Sequence, residues 1–300
     1  MTKLVERFDR LGQRVKGQKQ TVPTRLAEKM DSILNGDDEI HESSKVQESN
    51  EVSLSLYESE NLNLPASKKT TIPTPNVILR SALFGVVKKG NRQYEERVSK
   101  GTFSGYTVKY TGKQLDQSDL DVWLECIQRC QSTPLGHTVR FAANDFLLSL
   151  NRNTGKSDHE WLKSSLLRLR ANDVEISDGK YTYMGSLIFE QYRDEENGDN
   201  CLILNPKIVA CFGDAGWTGI TKAIRLQLKG KPLTQWLHGF YSSHAKPVPI
   251  KVETLRSICG SSVNELYKFR QMVKKSLIEL SSATGWQCHI NESDLVIIKK

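Results

Sequence analysis

Residues 260–281 read GSSVNELYKFRQMVKKSLIELS, and the way this stretch sorts its side chains decides the fold. Leu266, Phe269, Val273, Leu277 and Leu280 recur at helical spacing, so a helix over Asn264–Ser281 buries them as one stripe. The opposite face then carries Asn264, Lys268, Gln271 and Lys275, with Arg270 and Lys274 on its flanks and Ser261 and Ser262 at the N-terminus. Amides of this kind pair with base edges, cations neutralise phosphates, and a helix N-terminus with two serines suits a phosphate. A solvated helix face has a similar composition, so the pattern by itself leaves both readings open.

Working outward, strand-like segments Trp286–Ile290 and Leu295–Ile298 follow the helix around a turn at Asn291–Asp294. A helix-like Leu233–Ser242, a strand Val248–Lys251 and a helix Glu253–Ile258 precede it. The same order occurs earlier: after a strand-like Tyr106–Tyr110 come a helix Leu120–Cys130, a strand His137–Phe141 and a helix near Asn144–Leu150. A helix Asp158–Arg170 and β-rich segments Tyr181–Phe189 and Cys201–Leu204 complete it. Helices followed by a hairpin are the order of a winged helix, in which the hairpin flanks the recognition helix. The predicted fold is therefore α+β, two tandem winged-helix domains at 77–206 and 207–300 behind a largely disordered N-terminal arm at 1–76. Two such domains on one chain suit two successive major-groove segments about one helical turn apart.

In the first domain the sequence Asn151-Arg-Asn-Thr-Gly-Lys-Ser157 resembles the end of a nucleotide-binding loop. That loop needs a glycine five positions before Gly155, where this chain has Leu150, so ATP binding is not expected. Read as a helix-turn-helix junction, the segment sets Arg152, Thr154, Lys156 and Ser157 at the start of the next helix, where donors meet a DNA phosphate. Leu162, Leu166 and Leu169 mark that helix's buried side, Lys163 lies beside it, and Leu167 falls outside, favouring phosphate or thymine-methyl contact over dense base reading.

Other functions are narrowed by what the chain lacks. Its net charge is a modest +7, yet Trp217–Lys300 holds thirteen Lys and Arg against five Asp and Glu, so the cation is local. The charged start MTKLVERFDR and the absence of a long apolar run predict a cytoplasmic protein without a membrane partner. Six scattered cysteines without C-x-x-C pairs, and six histidines never separated by a single residue, predict no metal, no cofactor and no strand-nicking enzyme.

The arm is poor in aromatics and rich in Ser, Glu, Asn and Lys, a composition that cannot bury enough surface to fold alone. Within it Leu4, Phe8, Leu11 and Val15 fall on one stripe of a transient helix.

Several stretches together resemble the TrfA family of plasmid replication initiators: Arg80-Ser-Ala-Leu-Phe84, Tyr110-Thr-Gly112, Thr133-Pro-Leu-Gly136, Tyr241-Ser-Ser-His244, Lys251-Val-Glu-Thr-Leu-Arg256 and Cys259-Gly-Ser261. The resemblance implies a protein that binds tandem origin repeats (iterons) as a monomer, opens adjacent AT-rich DNA and engages the host helicase and initiator. It also implies inactive or inhibitory dimers, and hence copy-number control. In the arm, Ser53, Leu54, Ser55, Leu56 and Tyr57 resemble the family's sliding-clamp pentapeptide, whose apolar anchors enter a pocket from an extended chain. Ser53 and Tyr57 replace the usual Gln and Phe. The expectation is thus a non-enzymatic iteron-binding initiator. The alternative is a winged-helix transcriptional repressor or autoregulator without replisome contacts, for which the arm would be dispensable.

Overall fold

In the α2 helix, Gln117–Cys130, Leu120, Trp123, Leu124 and Ile127 turn inward together and seed the first core. The helix starts three residues before the apolar pattern suggests, because the Asp116 side chain accepts from the Ser118 and Asp119 amides while the Asp119 carboxylate accepts from the Asp116 amide. The computed structural model describes residues 63–300 except 88–89, 91, 104, 180–181, 194–198 and 213–215, all within one compact unit.

The chain enters through β1, Thr71–Pro75, and a short α1, Asn76–Leu79. It continues through β2 (Phe84–Gly85), β3 (Tyr94–Lys100), β4 (Thr107–Lys113) and β5 (Leu115–Asp116), and then α2. After α2 come β6 (Val139–Ala142), α3 (Ala143–Ser149), α4 (Lys156–Arg170), β7 (Asp173–Ser177), β8 (Thr182–Gly185), β9 (Ile188–Arg193) and β10 (Asp199–Leu204). A 3-10 turn at Pro206–Cys211, β11 (Trp217–Thr221) and α5 (Lys222–Gln227) bridge to the second half. That half consists of α6 (Pro232–Ser242), β12 (Ile250–Lys251), α7 (Val252–Ile258), α8 (Leu266–Thr284), β13 (Gln287–Ile290) and β14 (Leu295–Lys299). The architecture mixes helices and mostly antiparallel sheets.

The two halves repeat one path. α2–β6–α3–α4–β9–β10 builds a sheet of order β6-β10-β9, and α6–β12–α7–α8–β13–β14 builds one of order β12-β14-β13. In each, a strand runs directly into a seven-residue helix, the longer helix follows, and the last strand lies between the other two. Each half has its own apolar core, one around Trp123, Phe146, Leu166 and Leu202, the other around Trp236, Phe240, Phe269 and Leu277.

Three features depart from the sequence reading. Residues Leu64 and Ile72, assigned by composition to the arm, are buried in the first core, because β1 pairs along its whole length with β11. A partner so far along the chain leaves no local mark. The segment Tyr181–Phe189 divides: β8 joins the four-stranded sheet β3-β4-β7-β8, and the hairpin partner of β10 is β9. Finally, α8 begins at Leu266 behind the cap residue Glu265, so Asn264 precedes the helix. The stripe Leu4–Val15 and Ser53–Tyr57 lie outside the described residues.

Candidate nucleic-acid interface

Both helix-turn-helix junctions are made by the same backbone device. After α3, Asn151 takes a left-handed conformation (φ 51°), with Arg152 N–H donating to Leu147 O at 3.0 Å. After α7, Gly260 does the same (φ 66°), with Ser261 N–H donating to Arg256 O at 3.2 Å. This closure satisfies the last carbonyls of the short helix and throws the chain toward the long one. A side chain at Gly260 would also press on Ala82, its Cβ 3.0 Å from the Ala82 Cβ.

In α8 the expected stripe is buried: Phe269 0%, Val273 0%, Leu277 2% and Leu280 0% exposed, with Leu266 packed against them. Lys268, Gln271, Lys274 and Lys275 are exposed on the other side. Lys274 and Lys275 have no ion-pair partner among the described residues, whereas Lys268 Nζ lies 3.1 Å from Glu265. Arg270 is not a free flank: its guanidinium pairs with Asp294 in the β13–β14 turn and ties the hairpin to the helix. Ser261, Ser262 and Asn264 lie in the turn ahead of the helix and not at its N-terminus, because the chain runs non-helically from Gly260 to Glu265. Asn264 still presents an exposed side chain, and its backbone carbonyl accepts from the Arg256 guanidinium at 2.6 Å. Tyr267 (61% exposed) and Ile278 (73%) also lie outside. Tyr267 is four residues before Gln271, a spacing that places it on the same face.

In α4 the picture is more mixed. Thr154, Lys156 and Ser157 are exposed around the start of the helix, whose cap residue Gly155 makes no side-chain bond. Arg152 is occupied, with its guanidinium 2.9 Å from Asp158 and 3.7 Å from the centre of the Trp161 ring. Lys163 is exposed and 3.2 Å from Glu160. Arg168 turns inward to the fully buried Asp119 at 2.7 Å, and Asp119 also takes Ser165 Oγ at 2.9 Å and Arg92 at 2.6 Å. These partners come from distant segments, so periodicity had no means of finding them.

Ser165, Leu166 and Leu169 are buried in α4 as Ser276, Leu277 and Leu280 are in α8. In that register Lys163 stands where Lys274 stands, Glu160 where Gln271 stands, and exposed Leu167 where exposed Ile278 stands. Among the described residues no His, Cys, Asp and Glu cluster has the makings of a metal site. Burial drives the Cys126 thiol well above its ordinary value and Cys130 up to about 12, which keeps both protonated. No described helix is long and apolar enough to cross a membrane. Chemically, the exposed surface of α8 offers cations and an amide, and that of α4 cations, hydroxyls and one carboxylate.

A profile for the family described as "TrfA protein" matches residues 18–300. The plasmid replication initiator protein TrfA of Escherichia coli is 26% identical over 243 residues, covering 78% of this chain and 62% of that protein. The chain thus spans a little under two thirds of that relative's length. Two solved structures share the fold. Domains 2 and 3 of RctB superpose with a TM-score of 0.54 at 11% identity, over 76% of this chain and 99% of the other. The Pi initiator protein, in a complex with iteron DNA, superposes with a TM-score of 0.50 at 12% identity, over 78% and 99%.

Proposed function

The chain belongs to the TrfA family, and from that membership we propose that it is a plasmid replication initiator that grips double-stranded iteron DNA with two winged-helix domains, one built on the path α2–β10 and the other on α6–β14, the first core extending beyond 77–206 to take in Leu64, Ile72, Ile208 and Ile220. The observation that carries the reading is the repeated strand–helix–left-handed turn–helix–hairpin path, with exposed Gln271, Lys274 and Lys275 on the second long helix. The Pi initiator, which shares this fold, is seen with iteron DNA, which supports the assignment of DNA as partner.

In this reading α8 lies in one major groove. Lys268, Gln271 and Lys275 meet base edges and phosphates, Lys274 meets the backbone, and Asn264, Ser261 and Ser262 line the approach from the turn. α4 grips the neighbouring segment chiefly through phosphate, using Thr154, Lys156, Ser157 and Lys163. No covalent chemistry is assigned. The protein opens the origin by positioning and deforming DNA, in the cytoplasm, and hands it to the host initiator and helicase. Docking of Ser53–Tyr57 on the sliding clamp and a monomer–dimer control belong to the same proposal.

The test is binding of purified protein to its own origin repeats against random duplex at physiological salt, with a supercoiled-DNA nicking assay on the same sample. Preference for the repeats by about a thousandfold or more, without nicking, is expected. Equal binding to both removes iteron recognition, and metal-dependent nicking overturns the non-enzymatic reading.

A further inference from the structure

Each of the two helix-turn-helix junctions is held by the opposite half of the molecule. At the first, Lys229 Nζ donates to Leu150 O at 3.0 Å and also to Asn151 O, the two carbonyls flanking the left-handed position. Lys229 comes from the second half, immediately after Leu228, which is 1% exposed in the second core. Burial lowers the Lys229 pKa, with neighbouring Arg152 acting in the same direction, so the ammonium is held against a cost that the two carbonyls offset.

At the second junction the direction reverses. Val86, which follows β2 along the chain but packs in the second core, donates its N–H to Cys259 O at 2.9 Å, and the contact from the first half is made beside it. Gly101, immediately after β3, lies so close that a Cβ there would stand 2.5 Å from Ser257 O and 3.0 Å from Ile258 Cα. β3 belongs to the sheet whose next strands, β4 and β7, bury Val108, Tyr110, Val174 and Ile176 in the first core.

A third tie joins α2 to α5 and α6. Buried Arg225 of α5 donates to Asp121 at 2.5 Å, to Gln117 Oε1 at 2.9 Å and to Gln117 O at 3.1 Å, while Gln235 of α6 donates to Asp121 at 2.9 Å. Backbone carbonyls and a close-packed glycine permit little sliding, so α4 and α8 are indexed to each other through these contacts.

We propose that this cross-pinning fixes the separation of the two reading helices, so that the protein recognises its DNA as two subsites of one spacing, with Lys229 as a positioning residue that never touches DNA. The proposal rests on the DNA-binding reading. One inserted base pair moves the second subsite by about 3.4 Å and rotates it by about 35°. A rigid pair of helices cannot follow both changes.

The full chain is used, with subsites first located by footprinting on the natural repeat, and affinities measured for repeats carrying one, two or five extra base pairs between them. The expected result is a loss of about thirtyfold or more for the wild type on a single insertion, comparable to mismatching a base contact in a specific site. Lys229→Met keeps the stem and removes the donor. It is expected to shrink that penalty several-fold, and Lys229→Arg to restore it. Thermal melting of each variant separates a changed spacing profile from simple unfolding. A wild type indifferent to insertion, or identical spacing profiles for wild type and Lys229→Met, overturns the proposal while leaving repeat recognition standing. Absence of any preference for the repeats over random duplex overturns both together.

Discussion

The two halves follow the same chain path but secure their long helices by different means, and this difference shows what the fold requires and what it leaves free. α8 is held by an apolar stripe, Phe269, Val273, Leu277 and Leu280, with one half-exposed ion pair, Arg270–Asp294, joining it to its hairpin. α4 has fewer apolar anchors and adds a buried polar hub, in which Asp119 gathers Arg92, Ser165 and Arg168. The repeated element is the sequence of turns and the side of each helix that is buried. The chemistry behind the buried side has diverged.

The largest expected effect separates the two anchoring schemes. Asp119→Ala leaves the largely buried Arg168 without its carboxylate, and Arg92 with Asp116 alone, and is expected to cost about 3 kcal/mol in urea unfolding. Asp294→Ala removes the partner of a half-exposed arginine and should cost about 1 kcal/mol or less. Comparable losses for the two would break the contrast.

Acid should weaken the fold through α6. His238, 2% exposed, is the most deeply buried histidine among the described residues, and its Nδ1 has no hydrogen-bond partner among them. Burial, with Arg225 and Lys300 adding repulsion, lowers its pKa to about 3. Because the folded value lies below the unfolded one, the unfolded chain takes the proton first. Stability is therefore lost as pH falls from about 6.5 toward 3, at up to about 1.4 kcal/mol per pH unit for this one group. His238→Leu should flatten the stability–pH curve in that window. A curve of unchanged slope would remove His238 as the cause.

How much of this was legible beforehand differs by element. The α8 stripe was readable because helical burial repeats locally, whereas the left-handed turn at Gly260 came only with the structure. The equivalent turn at Asn151 was readable as a helix-turn-helix junction from the polar run Asn151–Ser157 between two helical patterns, although a left-handed Asn is a weaker mark than a glycine. Arg152, Arg168 and Arg270 were not readable as structural residues. Their partners Asp158, Asp119 and Asp294 are brought close by the fold, and a lone arginine beside a polar stripe has the same sequence appearance whether it faces solvent, an aromatic ring or a buried acid. The β1–β11 pairing was hidden for the same reason.

On DNA the contrast should reappear as base reading against backbone grip. Gln271→Ala is expected to cost about 1–3 kcal/mol on origin repeats and little on random duplex. Lys275→Ala, and likewise Lys268→Ala, should weaken both DNAs and reduce the salt slope by about 1. Equal losses on the two DNAs for Gln271→Ala would reassign it to the backbone and erase the distinction from α4.

The smallest effect tests the register that equates the two helices. Glu160 occupies in α4 the exposed position that Gln271 occupies in α8, and its carboxylate lies 3.2 Å from Lys163. If that face meets DNA, an exposed carboxylate there repels phosphate and also holds Lys163 away from it. Glu160→Gln removes one negative charge and frees one positive charge without changing the helix. It should tighten binding to repeats and to random duplex alike, by about 0.5–1 kcal/mol at low salt, an advantage that fades as salt rises. Measured by titration at two salt concentrations, a gain confined to the repeats would make position 160 a base reader after all. Unchanged binding to both DNAs would place the α4 face away from DNA and leave α8 as the only reading helix.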